Sequence, residues 1–239
     1  MRRLDLLVPA LLADLSLPPE EAPRALTLER VLGRADRTST VSADPLGTLL
    51  ERFGISPDPD KDLPSAPFSR LADAPGTNPV GFWLHADPVH LRADRDRLLL
   101  FDSRSLGLVR DEADALVGLF NAHFAAEGLV LEAPVPERWY LRGGERRRIR
   151  TQPLHEAVGR SVDSLLPRGA DAGWWNGLLN EVQMLFHQSE ANKRREQEGR
   201  PLVNGIWVWG GGSIPDAGLQ TDLAAVCAGH PLARGLAIA

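Results

Sequence analysis

The sequence has 239 residues, of which 43% are hydrophobic and 25% charged, and its formal net charge is −5. This length can bury a substantial core in one domain or two small ones. The acidic balance argues against a general nucleic-acid binder, because phosphate contacts need a basic surface. Cys227 is the sole cysteine and can form no internal disulfide, which favours a reducing compartment.

The N-terminal segment is expected to be neither a signal peptide nor a membrane span. Asp5 and Asp14 interrupt the apolar run that follows Arg2 and Arg3, and no small-residue cleavage site comes after it. No stretch approaches the ~20 apolar residues that cross a bilayer. We therefore expect a soluble, cytoplasmic protein that does not enter a membrane.

Residues 1–79 are predicted to form an N-terminal segment of short elements and a proline-rich linker. A short strand or helix is expected at 6–12, followed by two small helices. Asp44 is the expected N-cap of the second helix, with Pro45 in its first turn. Between Ser56 and Pro79 there are six prolines, too many for a central strand or helix, so an irregular surface crossing is predicted there.

Residues 80–239 are predicted to form an α+β domain that begins with an antiparallel hairpin. The hairpin is expected between residues 80 and 101, with a turn at Asp87-Pro88 and a polar tip at 94–96. Asp111 is expected to cap a helix that ends at Gly128. A further strand is predicted at 139–141.

The second half of this domain is predicted to interleave helices with one more strand. Amphipathic spacing predicts a helix at Trp174–His187 with Trp174, Leu178, Val182, Leu185 and Phe186 buried. A polar helix at 189–198 should end at Gly199, and a strand at 202–209 should run into three glycines. A last helix is expected at 219–229. This order predicts an α/β (mixed α+β) fold with a mixed sheet covered by helices.

Four short motifs in the second half carry a family resemblance. They are LLNE at 178–181, NKRR at 192–195, EGRP at 198–201 and NGIWVWGGG at 204–212. The series resembles the RpfE-type regulatory proteins of bacteria, and that similarity extends over most of the chain, including residues 83–90 and 138–142. More distantly, from about residue 90 to 212, it is similar to cofactor-independent phosphoglycerate mutases of the archaeal type.

The mutase resemblance implies a degenerate alkaline-phosphatase-like scaffold with an α+β cap. Those enzymes use two metal ions held by Asp and His, and a Ser nucleophile. Where they have a strand ending in Asp-Gly, this chain reads Leu6–Ala10, and their remaining ligands lie beyond the Trp-x-Trp-Gly segment, whereas this chain ends at Ala239. The matched part is therefore expected to be the non-catalytic cap and its return strand, and the chain could be a shortened form of a longer family. Ser189-Glu190 replaces the His-Pro of the family, and Gly211 replaces its Gln.

The residues themselves suggest an anion site at the end of the last predicted strand. Three glycines there can expose backbone N–H groups to a phosphate or carboxylate, or they can form a tight structural turn. Trp207 and Trp209 share one face of the strand and either fill a core or wall a pocket. Asn192 and Asn204 would orient a ligand or satisfy the backbone around the turn. The predicted ligand-binding residues are Arg142, Asn192, Arg195, Asn204, Trp207, Trp209, Gly210, Gly211 and Gly212.

Other polar clusters are given structural interpretations. His85, Asp87 and His90 are loosely spaced around Pro88, so no metal site and no cofactor is predicted. His187 is expected to interact with a helix dipole. The region 138–150 contains six arginines with two aromatic residues, a composition similar to that of a nucleic-acid-binding strand and loop, but a solvated loop is the preferred interpretation.

The leading hypothesis is a non-catalytic regulatory or ligand-binding protein on a degenerate phosphoglycerate-mutase-like scaffold, with a small anion as the ligand. One alternative is a metal-dependent phosphoglycerate mutase or another phosphoryl-transfer enzyme. A second alternative is a structural or protein-interaction module whose tryptophans belong to the core.

Overall fold

The computed structural model of the chain describes residues 7, 26–34, 44–77, 80–95, 97–144 and 148–239. The element predicted at 6–12 lies, apart from Leu7, outside these ranges. In chain order the helices and strands are α1 (Leu26–Arg34), α2 (Pro45–Glu51), α3 (Ser65–Asp73), β1 (Phe82–Asp94), β2 (Arg97–Phe101), α4 (Arg110–His123), β3 (Val130–Val135), β4 (Arg138–Gly143), α5 (Leu154–Ala157), α6 (Ala172–His187), α7 (Glu190–Gln197), β5 (Gly205–Gly212) and α8 (Pro231–Ile238).

The five strands form one sheet around the long strand β1. The order β2-β1-β4-β3 is completed by β5, which also pairs with β1. Every described strand pairing is antiparallel, whereas the sequence predicted a mixed sheet. Helices interleave with these strands along the chain, so the predicted mixed α/β class is confirmed.

The two faces of the sheet differ because side chains alternate along each strand. One face is apolar: Leu84 and Ala86 of β1, with Trp139 and Leu141 of β4, pack in the main core. Helices α4 and α6 contribute Leu116, Phe120, Leu178, Val182 and Phe186 to the same cluster. This face holds the largest hydrophobic core of the described structure.

The opposite face of the sheet is aromatic and polar. It presents Trp83, His85 and Asp87 from β1, beside Tyr140 of β4 and Trp209 of β5. Helix α3 covers it. Helix α8 packs on α3 through Phe68, Leu232 and Leu236, joined by Leu50 and Phe53 at the end of α2. Buried polar groups are therefore enclosed between the sheet and these helices.

The turn predicted at Asp87-Pro88 is wrong, because β1 runs without interruption from Phe82 to Asp94. Pro88 pairs with Ile206 of β5. The β4 partners of β1 stop at His85 and its β2 partners begin at His90. A proline without an N–H is tolerated where a strand has a partner on one side only. The hairpin of β1 and β2 around the polar tip is confirmed.

The proline-rich segment is not an irregular crossing throughout, since it contains α3. Residues 65–72 of this helix are all buried. Pro67 lies in the first turn, where the missing N–H has no intrahelical partner to lose. The proline count therefore misled the prediction. The boundary predicted at residue 79 stays a prediction.

The C-terminal helix lies later than predicted. Residues 219–229 contain no helix, and the N–H of Gln220 donates instead to the Phe53 carbonyl oxygen at 3.1 Å. Helix α8 begins at Pro231, and the His230 side chain accepts from the Leu232 N–H at 3.3 Å. Proline in the first turn with a capping side chain before it is a standard helix start.

Several other elements agree with the sequence. Asp44 caps α2 through the N–H groups of Leu46 and Gly47, and α6 and α7 occupy the predicted ranges to within two residues. Helix α4 begins at Arg110, so Asp111 lies inside its first turn rather than at the cap, and the helix ends at His123 rather than at the predicted Gly128. The sequence did not predict β3 or α5. Among the described residues, no helix combines the length and apolar character needed to span a bilayer.

Candidate functional site

A small cavity with several polar side chains on its wall lies between the aromatic face of the sheet and the covering helices. Its volume is about 80 Å³, more than the ~30 Å³ that one water occupies in the liquid. The polar groups around it come from three strands, from α3 and from the residue that precedes α8. The lining residues are Leu46, Ser65, Ser69, His85, Asp87, Arg138, Trp209, His230, Pro231 and Leu232. We call this cavity the deep pocket.

Two buried side chains in the deep pocket have hydrogen-bonding atoms without a partner in the described structure. They are the Ser65 hydroxyl and both ring nitrogens of His85. Ser65 is 2% exposed and His85 is 3% exposed. Buried polar atoms are normally hydrogen-bonded, and leaving one unpaired costs about 1–3 kcal/mol. These atoms therefore indicate that something polar completes the pocket.

His85 is held as a neutral imidazole. Its ring stacks on Trp209 with a centroid separation of 4.0 Å, and Tyr140 packs at a tilt 5.2 Å away. Burial lowers the pKa of His85 from 6.5 to about 3. A neutral imidazole offers one N–H donor and one acceptor to a ligand.

Asp87 lies two residues further along β1, on the same face. Its carboxylate accepts from the Trp209 indole N–H at 2.8 Å and from the Trp139 backbone N–H at 3.3 Å. Burial raises its pKa from 3.8 to about 7, against the smaller lowering by these hydrogen bonds. Near neutral pH the group can therefore be either an anion or a neutral donor.

Arg138 brings the positive charge to the deep pocket and is held in place by α3. Its Nε and Nη2 donate to the Asp73 carboxylate at 2.7 and 2.8 Å, and the Tyr140 hydroxyl donates to the same carboxylate at 2.7 Å. Although burial opposes it, these bonds and the charge of Arg138 hold the pKa of Asp73 below its ordinary value. The charge of Arg138 is thus already balanced by Asp73.

A wider cleft of about 420 Å³ adjoins the deep pocket. The two share Leu46, Ser65 and Trp209 as walls. Asp62 lies in this cleft and accepts hydrogen bonds from the N–H and hydroxyl of Thr151 and from the Gly211 N–H, while burial raises its pKa. The cleft gives the deep pocket a neighbouring space in which the rest of a larger ligand would fit.

The three predicted glycines do not form an open turn, so that part of the prediction is wrong. Residues 210–212 belong to β5, and Gly210 and Gly211 together oppose the single residue Leu84, which makes a β-bulge. Gly210 has φ of +63°, and a Cβ there would collide with the Ser65 hydroxyl. Glycine is required at this position for two reasons. Its backbone has a left-handed conformation, and α3 lies too close to leave room for a side chain.

Asn192 and Asn204 both act on the backbone in the described structure. Asn192 donates to the Val203 carbonyl oxygen at 2.8 Å and accepts from the Val203 N–H at 2.9 Å. Asn204 makes the same pair of bonds to Leu91, at 2.8 and 2.7 Å. Each side-chain amide therefore satisfies both the N–H and the carbonyl oxygen of one backbone residue.

The two predicted arginines are not brought together. Arg195 is 0% exposed and donates to Glu112 at 2.6 Å and to the carbonyl oxygens of Leu106 and Pro201, so its hydrogen bonds join α7 to the start of α4. Arg142 is exposed at the end of β4. The ligand-binding role of these residues stays a prediction, whereas Arg195 and the two asparagines have structural roles.

The sequence left open whether the two tryptophans fill a core or form the wall of a pocket, and the structure shows one of each. Trp207 is buried and donates to the Gln152 carbonyl oxygen at 2.9 Å, whereas Trp209 lines both the deep pocket and the cleft. The sequence did not assign Ser65, Arg138 or His230 to any site. The sequence signal for this pocket was that His85 and Asp87 lie two residues apart, as side chains on one face of a strand do. The turn predicted at Pro88 hid that signal.

The described residues form no candidate metal centre. No three His, Cys, Asp or Glu side chains among them converge on a common point. His85 and Asp87 line the deep pocket. His90 lies apart from them, beside the segment just before the start of β5, with Nδ1 2.9 Å from the Leu202 carbonyl oxygen.

The fold is an antiparallel sheet with helices along the chain, and the deep pocket lies on one face of that sheet. No model of a protein family matches the chain. Over part of its length the chain is distantly homologous to cofactor-independent phosphoglycerate mutases. It is 26% identical over 141 residues to the 2,3-bisphosphoglycerate-independent phosphoglycerate mutase of Methanosarcina mazei, and 30% identical over 107 residues to that of Methanosarcina acetivorans.

These matches are partial on both sides. The alignment with the first relative covers 57% of this chain and 36% of that protein, and the second covers 44% and 27%. Among solved structures, the cofactor-independent phosphoglycerate mutase from Thermoplasma acidophilum aligns with a TM-score of 0.44 at 19% identity, covering 71% of this chain and 51% of that one. The chain thus spans about a third of the curated relatives that it matches.

Proposed function

We propose that the chain is a ligand-binding protein of regulatory type that takes a small anion in the deep pocket. The main support for this proposal comes from Ser65 and His85, two buried side chains on the wall of the cavity. Their polar atoms have no hydrogen-bond partner in the described structure. A hydroxyl and a neutral imidazole can each donate one hydrogen bond to an anion. Arg138 also lines the cavity, but Asp73 already balances its charge, so the preference for an anion rests on these donors.

The position of α3 adds to this preference. Ser65 is the first residue of this helix, whose N-terminal end carries a partial positive charge. The cavity therefore combines the start of a nine-residue helix with two unpaired buried donors. Both features stabilise negative charge in the same small volume.

The competing proposal is a phosphoglycerate mutase or related phosphoryl-transfer enzyme, which the partial sequence matches favour. A direct assay separates the two. We expect no interconversion of phosphoglycerates by the purified chain with added divalent metal. Turnover that a chelator abolishes would contradict the binding proposal and establish the enzyme.

A thermal-shift screen tests the binding proposal. The panel contains orthophosphate, sulfate, acetate and a set of phosphorylated and carboxylated metabolites at pH 6 and 7.5. We expect at least one anion to raise the melting temperature in proportion to the logarithm of its concentration once the site is saturated. A flat response to every anion would overturn the proposal and favour the structural-module alternative.

Matched variants locate the binding. Ser65→Ala removes a hydroxyl without a partner, so the unliganded protein should keep its stability while the anion-dependent shift shrinks. Ser103→Ala is the control, because Ser103 is also buried but does not line the deep pocket. An equal loss of the shift in both variants would place the ligand elsewhere.

A further inference from the structure

We propose that the deep pocket binds its anion as a small carboxylate together with one proton, which the Asp87 side chain holds. This inference rests on the proposed function and specifies its ligand. The proton comes from solvent and adds to a carboxylate oxygen of Asp87. No other bond forms or breaks.

The charge balance of the pocket requires this proton. Among the described residues, Arg138 is the one arginine or lysine that lines the deep pocket, and Asp73 neutralises it through two hydrogen bonds. An ionised Asp87 and an anionic ligand would therefore place two negative charges in a buried cavity where the described residues supply no unbalanced cation. Two carboxylates that share one site normally retain a proton between them, because both cannot ionise at close range.

The titratable groups that face Asp87 leave it as the proton acceptor. His85 on β1 and His230 ahead of α8 have pKa values lowered by burial, so both are neutral near pH 7. Tyr140 on β4 has its pKa raised by burial and by Asp73 and stays protonated. Burial raises the pKa of Asp87 to about 7, and a neighbouring anion would raise it further.

The size and charge of the cavity favour a carboxylate over a dianion. With Asp87 protonated, a monovalent carboxylate leaves the group of Arg138, Asp73 and ligand with one net negative charge, whereas a divalent phosphate or sulfate leaves two. The cavity of about 80 Å³ has room for roughly two or three waters, which is also the scale of a carboxyl group with one or two carbons. A protonated Asp87 can then donate to the ligand, as can the Ser65 hydroxyl and the His85 ring.

Calorimetric titration with sodium acetate tests the inference, with sodium sulfate as the divalent comparison. Both anions keep a constant charge between about pH 6 and 9, so any change in affinity comes from the protein. We expect the acetate dissociation constant to rise about tenfold per pH unit above pH 7. Titrations in two buffers with different ionisation enthalpies should show the uptake of up to one proton per acetate.

The Asp87→Asn variant supplies the matched control. It keeps the shape of the side chain and removes the titration, but its single oxygen can accept from only one of the Trp139 and Trp209 N–H groups. Acetate should therefore bind more weakly, with one dissociation constant across the pH range. Affinity in the wild-type protein that is independent of pH, or sulfate binding tighter than acetate at pH 6, would overturn the inference while leaving anion binding intact. Failure of every anion to bind at pH 6 would overturn the proposed function as well.

Discussion

Gly235 of α8 lies directly against the backbone carbonyl group of Phe68 in α3. A Cβ atom at position 235 would overlap the Phe68 carbonyl oxygen. The two helices can therefore cross this closely only because residue 235 has no side chain. This contact fixes the layer that covers the deep pocket.

Replacing Gly235 by alanine should separate these helices. We expect Gly235→Ala to lower the free energy of unfolding by about 3 kcal/mol or more, because the clash is with backbone and cannot be relieved by a side-chain rotation. Urea unfolding measures the change. The deep pocket should also loosen, so the anion-dependent thermal shift should fall with the stability.

Gly177 provides the control within α6. A Cβ there would meet no atom within 4 Å, so Gly177→Ala should stabilise the protein by roughly 0.5–1 kcal/mol through helix propensity. Destabilisation by both alanine substitutions to the same extent would show that the α3–α8 contact has no special role.

Local patterns predicted the elements whose signals lie within a few residues. The cap and first-turn proline of α2 and the apolar stripe of α6 were readable because they depend on neighbours in the chain. Helix α3 was missed because its stability comes from burial between the sheet and α8, which local proline content does not report. The helix expected at 219–229 was wrong because Gln220 instead pairs with Phe53 at the end of α2.

The candidate site was harder to predict than the fold. Its groups come from β1, β4, β5, α3 and the residue before α8, so sequence separation hides their proximity. Asn192, Arg195 and Asn204 were predicted to bind a ligand, yet each side chain forms hydrogen bonds with main-chain atoms. Only the structure shows that the bulge at Gly210, which has no side chain, leaves space for the Ser65 hydroxyl at the pocket.

Leu178 should be a major contributor to the main core. It is 4% exposed and faces the sheet with Val182 and Phe186, while Leu185 is only partly buried. We expect Leu178→Ala to cost about 2–5 kcal/mol in denaturant unfolding. Met184→Ala is the control in the same helix, because Met184 is 62% exposed, and its effect should be within about 0.5 kcal/mol.

Asn192 should be needed for folding stability rather than for ligand binding. Asn192→Ala leaves the carbonyl oxygens of Phe186 and Val203 and the Val203 N–H without their partner, so a loss on the order of 3 kcal/mol is expected. Asn204→Ala should cost less, because its bonds to Leu91 are only partly buried. An unchanged denaturation midpoint for Asn192→Ala, with weaker anion binding, would instead support the ligand role predicted from the sequence.

The pH dependence of stability should reveal His85 and Asp87 as opposing groups. For His85, the pKa of about 3 in the folded protein lies below the ordinary 6.5, so the unfolded chain binds the proton first and stability falls as the pH drops from about 6.5 toward 3. For Asp87, the pKa of about 7 lies above the ordinary 3.8, so the folded protein binds the proton first. Its contribution is therefore present below pH 4 and falls as the pH rises toward 7.

Between about pH 4 and 6.5 these two contributions offset each other, and single variants should expose them with opposite signs. Each group acting alone changes the free energy of unfolding by up to ~1.4 kcal/mol per pH unit. Relative to the wild-type protein, His85→Phe should therefore lose about 3 kcal/mol between pH 4.5 and 6.5, and Asp87→Asn should gain a similar amount over the same interval. Taking differences from the wild type removes the titrations common to all variants, and the double variant should follow the wild-type slope. If both single variants tracked the wild-type curve, His85 and Asp87 would have ordinary pKa values, and the deep pocket would be open to water rather than buried.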